Sequence, residues 1–182
     1  MTGTCQVDFY VLADPVRSAE SLACQLALMA WEQGHRVCVR TEDELEAQRI
    51  DELMWEQPPG RFLPHEIGAG AEECPVRIET GGEGVPGDRD VVINLATSAV
   101  PEPARFSRLL EVVPQEGDRR QASRGKYRAY RDQGLDPAHH IACFEPGAGQ
   151  FQQPAHHGVG FGVDGRVVQG IGRFGHPQKA GC

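Results

Sequence analysis

Short apolar runs alternate along the chain with segments of helical period. Residues 7–12 (VDFYVL) are apolar and β-prone, and they predict a first strand. Ser18 stands where a helix N-cap belongs. After it, Leu22, Leu26, Met29 and Ala30 recur at helical spacing, which predicts a helix over 19–33. Gly34 then occupies a C-cap position, and residues 37–39 (VCV) read as a second strand. Thr41 and Glu44 match a T-x-x-E capping box, opening a second helix that carries Leu45, Ile50, Leu53 and Met54 and stops at Pro58 and Pro59.

The middle of the chain is less regular. Residues 62–65 (FLPH) predict an apolar loop or short turn, and 68–73 a flexible stretch. Residues 76–78 suggest a short strand, and 81–87 are rich in turn residues. Residues 91–95 (VVINL) form a continuous apolar run, as expected for a strand covered on both faces. Residues 109–113 predict another strand, and Asp118 is placed to cap a last helix that ends at Gly134. Strands and helices in this alternation predict an α/β fold: a small Rossmann-like three-layer domain with a mostly parallel sheet. The domain is set at residues 1–138. Residues 139–182 are dominated by Gly, His, Pro and Gln with little periodicity, and predict a disordered C-terminal tail with at most a weak hairpin at 163–168.

Charge divides the chain further. The net charge is −8, yet residues 119–131 carry six bases and no acid: Arg119, Arg120, Arg124, Lys126, Arg128 and Arg131. Residues 1–118 hold 22 acids against nine bases. An acidic body disfavours general nucleic-acid binding, so any DNA contact is expected to be mainly indirect. The basic element points to a local acidic partner. On a helix, Arg120, Arg124, Tyr127, Arg128 and Arg131 fall on one stripe, with guanidinium groups one turn apart and an aromatic ring among them. Such a stripe holds carboxylates through paired hydrogen bonds. The plain alternative is a solvated helix face. The missing acids weigh against it, because like charges at this spacing repel.

Other chemistries find less support. The six cysteines (Cys5, Cys24, Cys38, Cys74, Cys143 and Cys182) include no C-x-x-C pair. The N-terminus has no basic n-region or cleavage site, and no apolar run is long enough to span a bilayer. Reduced thiols and a cytoplasmic location are expected. His139, His140, Cys143, His156, His157 and His176 fit no standard zinc spacing, so no metal is expected. An α/β domain also invites a nucleotide-dependent Rossmann-like enzyme. However, no phosphate loop follows the first strand. Residues 170–175 match G-x-G-x-x-G by letters alone, since no helix is expected after them. No cofactor is expected.

The string 124–131 (RGKYRAYR) resembles the R-x-R-Y-K-A-Y-R helix of the DNA polymerase III chi subunit family. The resemblance runs from Val7 to about Pro137. It takes in VDFYVL, the helix with Cys24 and Trp31, GHRVCVRTED, RIDELMWEQPPGRFLPH, RDVVINL and LLEVVP, all in one order. It implies a Rossmann-like accessory subunit of the polymerase holoenzyme without catalysis of its own. It also implies two partners: the psi subunit of the clamp loader, and the acidic, Phe-terminated C-terminal tail of single-stranded-DNA-binding protein. The tail-binding positions fall on Arg120, Arg124, Tyr127 and Arg128, with Arg131 continuing the stripe. Val113, at the end of the last strand, would line the slot for the terminal Phe. The psi-facing surface falls on Trp55, Phe62 and Pro64, although Trp55 and Phe62 serve equally well as cover for the sheet. Gly125 inside the motif departs from good helix formers. The family usually ends soon after this helix, so residues 139–182 lie outside the resemblance.

Overall fold

The computed structural model describes residues 5–13, 18–56, 60–68, 74–82, 84–115 and 117–142, together with the backbone of 171–173. Its strands are β1 (Gln6–Leu12), β2 (Val37–Thr41), β3 (His65–Ile67), β4 (Val76–Thr80), β5 (Val91–Asn94), β6 (Arg108–Val113), β7 (Ala138–Ala142) and β8 (Ile171–Arg173). The helices are α1 (Ala19–Glu32), α2 (Glu44–Glu56) and α3 (Asp118–Asp132). The strands form one sheet in the order β3-β4-β2-β5-β6-β1-β7-β8, parallel throughout except for β8, which runs antiparallel to β7.

Alternate residues of each strand feed two cores, which makes the molecule three-layered. Tyr10, Leu12, Val37, Val39, Val91, Ile93, Leu110 and Val112 pack against α1 and α2. Val7, Phe9, Cys38, Val92, Leu109 and Val113 pack against Tyr130 of α3 and against Val100 and Phe106 of the β5–β6 connection. Among the described residues, no helix is long and apolar enough to cross a membrane. Cys5, Cys24, Cys38 and Cys74 are free thiols, and burial pushes those of Cys24 and Cys38 up to about 12.

Ser18 caps α1 as expected, accepting from the Ser21 amide at 3.1 Å. The other two helix starts differ from expectation. At α2 the capping residue is Asp43, whose Oδ1 accepts from the Glu46 amide at 2.8 Å. The Glu46 carboxylate in turn accepts from the Glu42 amide at 2.8 Å. Thr41 is still in β2, and its hydroxyl donates to the Glu79 carbonyl. At α3 the cap is Gly117, in a left-handed conformation (φ 85°) with no side chain to offer, and Asp118 is the first helical residue. Gly134 follows the helix end with φ 80°, the conformation that favours glycine there.

His65, expected as the end of a loop or turn at 62–65, instead opens the edge strand β3, which pairs with β4. The boundary expected after residue 138 has β7 across it: Ala138–Ala142 pairs along β1 from Asp8 to Leu12. A buried ion cluster fixes that strand. His140 Nε2 lies 2.7 Å from Asp8 Oδ1, and Arg108 Nε donates to Asp8 Oδ2 at 2.8 Å. Tyr10 stacks on the His140 ring at 5.0 Å. Burial alone would raise the Asp8 carboxyl, but the His140 and Arg108 contacts together hold it below its ordinary value. Residues 143–170 and 174–182 lie outside the described residues, and with them the suggested hairpin, Cys143, Cys182, His156, His157 and His176.

Candidate functional site on the last helix

Helix α3 shows two unlike faces. Ser123, Lys126 and Tyr130 are buried against the sheet. Lys126 Nζ donates to Glu111 Oε2 at 2.5 Å and to the Ala96 carbonyl at 2.8 Å. Tyr130 donates to Glu111 Oε1 at 2.6 Å and accepts from the Val100 amide at 2.9 Å. Asn94 completes the set, donating to the same Glu111 oxygen at 2.9 Å. Burial and the Glu111 charge push the Tyr130 hydroxyl far above its usual range, so it is a fixed donor.

Arg120, Arg124, Arg128 and Arg131 occupy the outer face and are exposed. Among the described residues, Arg120, Arg124 and Arg128 form no ion pair. Arg120 donates to the Gln115 carbonyl, and Arg124 to Gln121 Oε1 at 3.3 Å. Arg131 lies beside the Tyr127 hydroxyl, which raises its pKa further. The expected stripe is therefore present as geometry. The basic run around it is not uniform, however. Lys126 is spent on Glu111, and Arg119 turns away to Glu46 of α2 at 2.5 Å.

An apolar row lies beside the stripe. Across β6, β1 and β7 the register aligns Val113, Val11 and Ile141 on the face toward α3. Val113 is buried, while Val11 and Ile141 are partly open. Tyr127 is half-buried, edge-on to Phe9 with centroids 5.6 Å apart. Val11 and Tyr127 are both partly buried against the core on this face.

The second candidate surface is at the far end of α2. Trp55 is 63% exposed and Phe62 60%. They pack on each other at 5.5 Å, and Trp55 also meets the His65 ring at 5.1 Å. Both rings are largely exposed, and Trp55 also lies over His65 of the edge strand β3. Pro64 is half-buried beside them. An open groove lined by Trp31, Gly34, Gly60 and Phe62 adjoins, with the Arg61–Glu32 ion pair at its rim.

The place where a Rossmann-like enzyme would bind nucleotide is the carboxyl end of adjacent strands whose helices leave to opposite faces. Here those strands are β1 and β6. That point is bridged from within: Gln115 Nε2 donates to the Ala13 carbonyl, and Arg120 to the Gln115 carbonyl. Ile171–Arg173, the only described part of the G-x-G-x-x-G string, is a strand paired with β7. His139 and His140 point to opposite faces of β7 and share no ligand sphere. Among the described residues, no cluster of three metal-ligating side chains occurs.

The sequence profile of the family described as DNA polymerase III chi subunit, HolC, matches residues 5–138. DNA polymerase III subunit chi of Pseudomonas aeruginosa is 39% identical over 132 residues, covering 71% of this chain and 91% of that protein. The subunit of the same name from Escherichia coli K12 is 34% identical over 135 residues, with 70% and 92% covered. That from Haemophilus influenzae is 31% identical over 129 residues, with 69% and 90% covered. Family profile and relatives agree in span with the α/β unit that carries both surfaces: the chain belongs to the DNA polymerase III chi subunit family, whose members serve DNA replication.

Proposed function

We propose that this chain is a non-catalytic adaptor of the polymerase III holoenzyme that captures the acidic C-terminal tail of single-stranded-DNA-binding protein on the outer face of α3. The observation that carries this reading is the set of exposed guanidinium groups of Arg120, Arg124 and Arg128. They stand one turn apart without an internal carboxylate among the described residues, and they border the Val113–Val11–Ile141 row and Tyr127. The tail's Asp side chains and terminal carboxylate pair with the guanidinium groups. Its terminal Phe packs on the apolar row and the Tyr127 ring. Trp55, Phe62 and Pro64 form the surface for the clamp loader, through psi, because exposed aromatic rings make strong interface anchors. The two surfaces lie on different elements, so one chain can hold both partners.

Fluorescence anisotropy with a labelled acidic, Phe-terminated tail peptide tests the first surface. Arg124→Ala should lower affinity about ten- to a hundredfold. Deleting the terminal Phe should have a similar effect, because burying that ring contributes about 2 kcal/mol. Added salt should weaken binding. Wild-type affinity indifferent to both changes would overturn the reading. Trp55→Ala or Phe62→Ala should weaken copurification with the clamp loader by about 2 kcal/mol while leaving peptide binding intact.

A further inference from the structure

The ring cluster beside the basic stripe contains a residue that the stripe alone does not predict. His139 is the β7 partner of Phe9, so their side chains lie next to each other on the face toward α3. The His139 ring lies 4.9 Å from Tyr127 and 5.4 Å from Phe9, tilted by 33° to each. It is exposed, and among the described residues neither ring nitrogen has a hydrogen-bond partner. Its neighbour His140 faces the other way and is fully engaged with Asp8.

We propose that His139 is a ligand-binding residue of the same surface: its ring, beside Tyr127 and Phe9, packs against the peptide's terminal aromatic side chain, and on protonation it adds a cation that pairs with the peptide's carboxylate. This rests on the tail-binding function proposed above. The charged and titratable groups around the ring are few. From α3 it is Tyr127, with Arg131 beside it. From the turn after α3 comes Asp136, which acts on Arg131. From β1, Phe9 carries no charge, and Asp8 and Tyr10 lie on the far face with His140. Among the described residues, β8 pairs with His140, Ile141 and Ala142. No described carboxylate contacts the ring, so an arriving one meets no internal rival.

Desolvation, then the neighbouring His140, hold the His139 imidazole below the ordinary histidine value. In the free protein it is therefore neutral at pH 7. A bound carboxylate favours the imidazolium and raises its pKa in the complex. Affinity should thus climb as pH falls through the pKa of the complex, and level off below that of the free protein. Peptide aspartates, titrating near about 4, stay charged across this window.

The experiment is anisotropy with the labelled acidic, Phe-terminated peptide between pH 8 and pH 5, using the full chain and His139→Phe, His139→Ala and Arg124→Ala variants, with circular dichroism to check folding. Wild-type affinity should rise about fivefold toward pH 5, as one added ion pair allows. His139→Phe should keep the pH 8 affinity and lose the rise. His139→Ala should lose the rise and also bind more weakly at pH 8, because the packing ring is gone. If wild type binds, Arg124→Ala weakens it, and His139→Phe retains the full rise, the role of His139 is overturned while the tail-binding function stands. An absence of peptide binding by wild type at every pH would instead sink the tail-binding function itself.

Discussion

Lys126 and Arg124 sit two residues apart on one helix and meet opposite surroundings. Lys126 is 5% exposed, in contact with a buried carboxylate, a carbonyl and the hydroxyl-bearing core around Glu111. Arg124 is exposed, and among the described residues its guanidinium donates only to the Gln121 side-chain oxygen. At about 100° per residue, Lys126 and Tyr130 share one side with Ser123, while Arg120, Arg124, Arg128 and Arg131 share another. The same positive charge thus has two roles, and the presence of an internal carboxylate separates them. A base that neutralises Glu111 holds α3 to the sheet. A base with no such partner is free to receive an external acid. Residue type alone separates them poorly, for Arg119 is an arginine and still belongs to the first group through Glu46.

The largest expected effect lies on the buried side. Lys126→Ala leaves Glu111 charged inside the fold with its cation gone. Removing one partner of a buried pair is expected to destabilise by about 3–5 kcal/mol. Urea unfolding followed by circular dichroism measures it. A loss within experimental error would mean that Glu111 is protonated or hydrated, and the proposed division of the helix would fail on its inner face.

Arg124→Ala should behave in the opposite way. Its effect on folding is expected within about 0.5 kcal/mol, as for an exposed residue without a structural partner. Its effect on peptide affinity is expected at about 1.5–3 kcal/mol. Measured together, the two numbers sharpen the contrast: stability and binding should be lost by different substitutions on one helix. A variant that loses both equally would indicate that the outer arginines also support the fold.

Glu46 tests the intermediate case. Its carboxylate accepts from the Glu42 amide just before α2 and from Arg119 of α3. Glu46→Ala should lower stability by about 1–2 kcal/mol, the range of a lost bond at a helix start with a charge-assisted one, with peptide affinity unchanged. A rise in peptide affinity would show that the freed Arg119 joins the stripe.

Much of this division could be read from the chain before folding. The runs expected at 7–12, 37–39, 76–78, 91–95 and 109–113 each fall on a strand; Val91–Val92–Ile93 is apolar because it is covered on both faces, whereas β1, β4 and β6 each bury a charged residue, Asp8, Arg77 and Glu111. The outer stripe followed from helical spacing. The inner partners did not, since Glu111 is one acid among many until β6 brings it under α3. Strand β7 was hidden for a related reason: Ala138–Ala142 (AHHIA) looks polar, and its buried His140 finds its partner in Asp8, 132 residues away in sequence. The α2 cap was misplaced by two residues because TEDELE contains two overlapping capping patterns. The strand claimed Thr41, which left the cap to Asp43.

Gly125 offers the smallest and cleanest test, since it lies inside the motif yet belongs to neither side of the comparison. Its backbone is ordinary helix, and a Cβ built there meets nothing within 4 Å. Replacement by Ala therefore adds no clash. It removes the excess backbone freedom of glycine in the unfolded chain, which should stabilise the protein by about 0.5–1 kcal/mol. Neither the Glu111 contacts nor the guanidinium positions depend on that atom. Peptide affinity should then stay at the wild-type value while the midpoint of unfolding moves up. A tighter complex in Gly125→Ala would carry a different message: the helix would need ordering during capture, and glycine at this position would be loosening the stripe as well as the fold. An unchanged affinity with a raised midpoint would show that the four outer arginines are already arranged for their partner in the free chain.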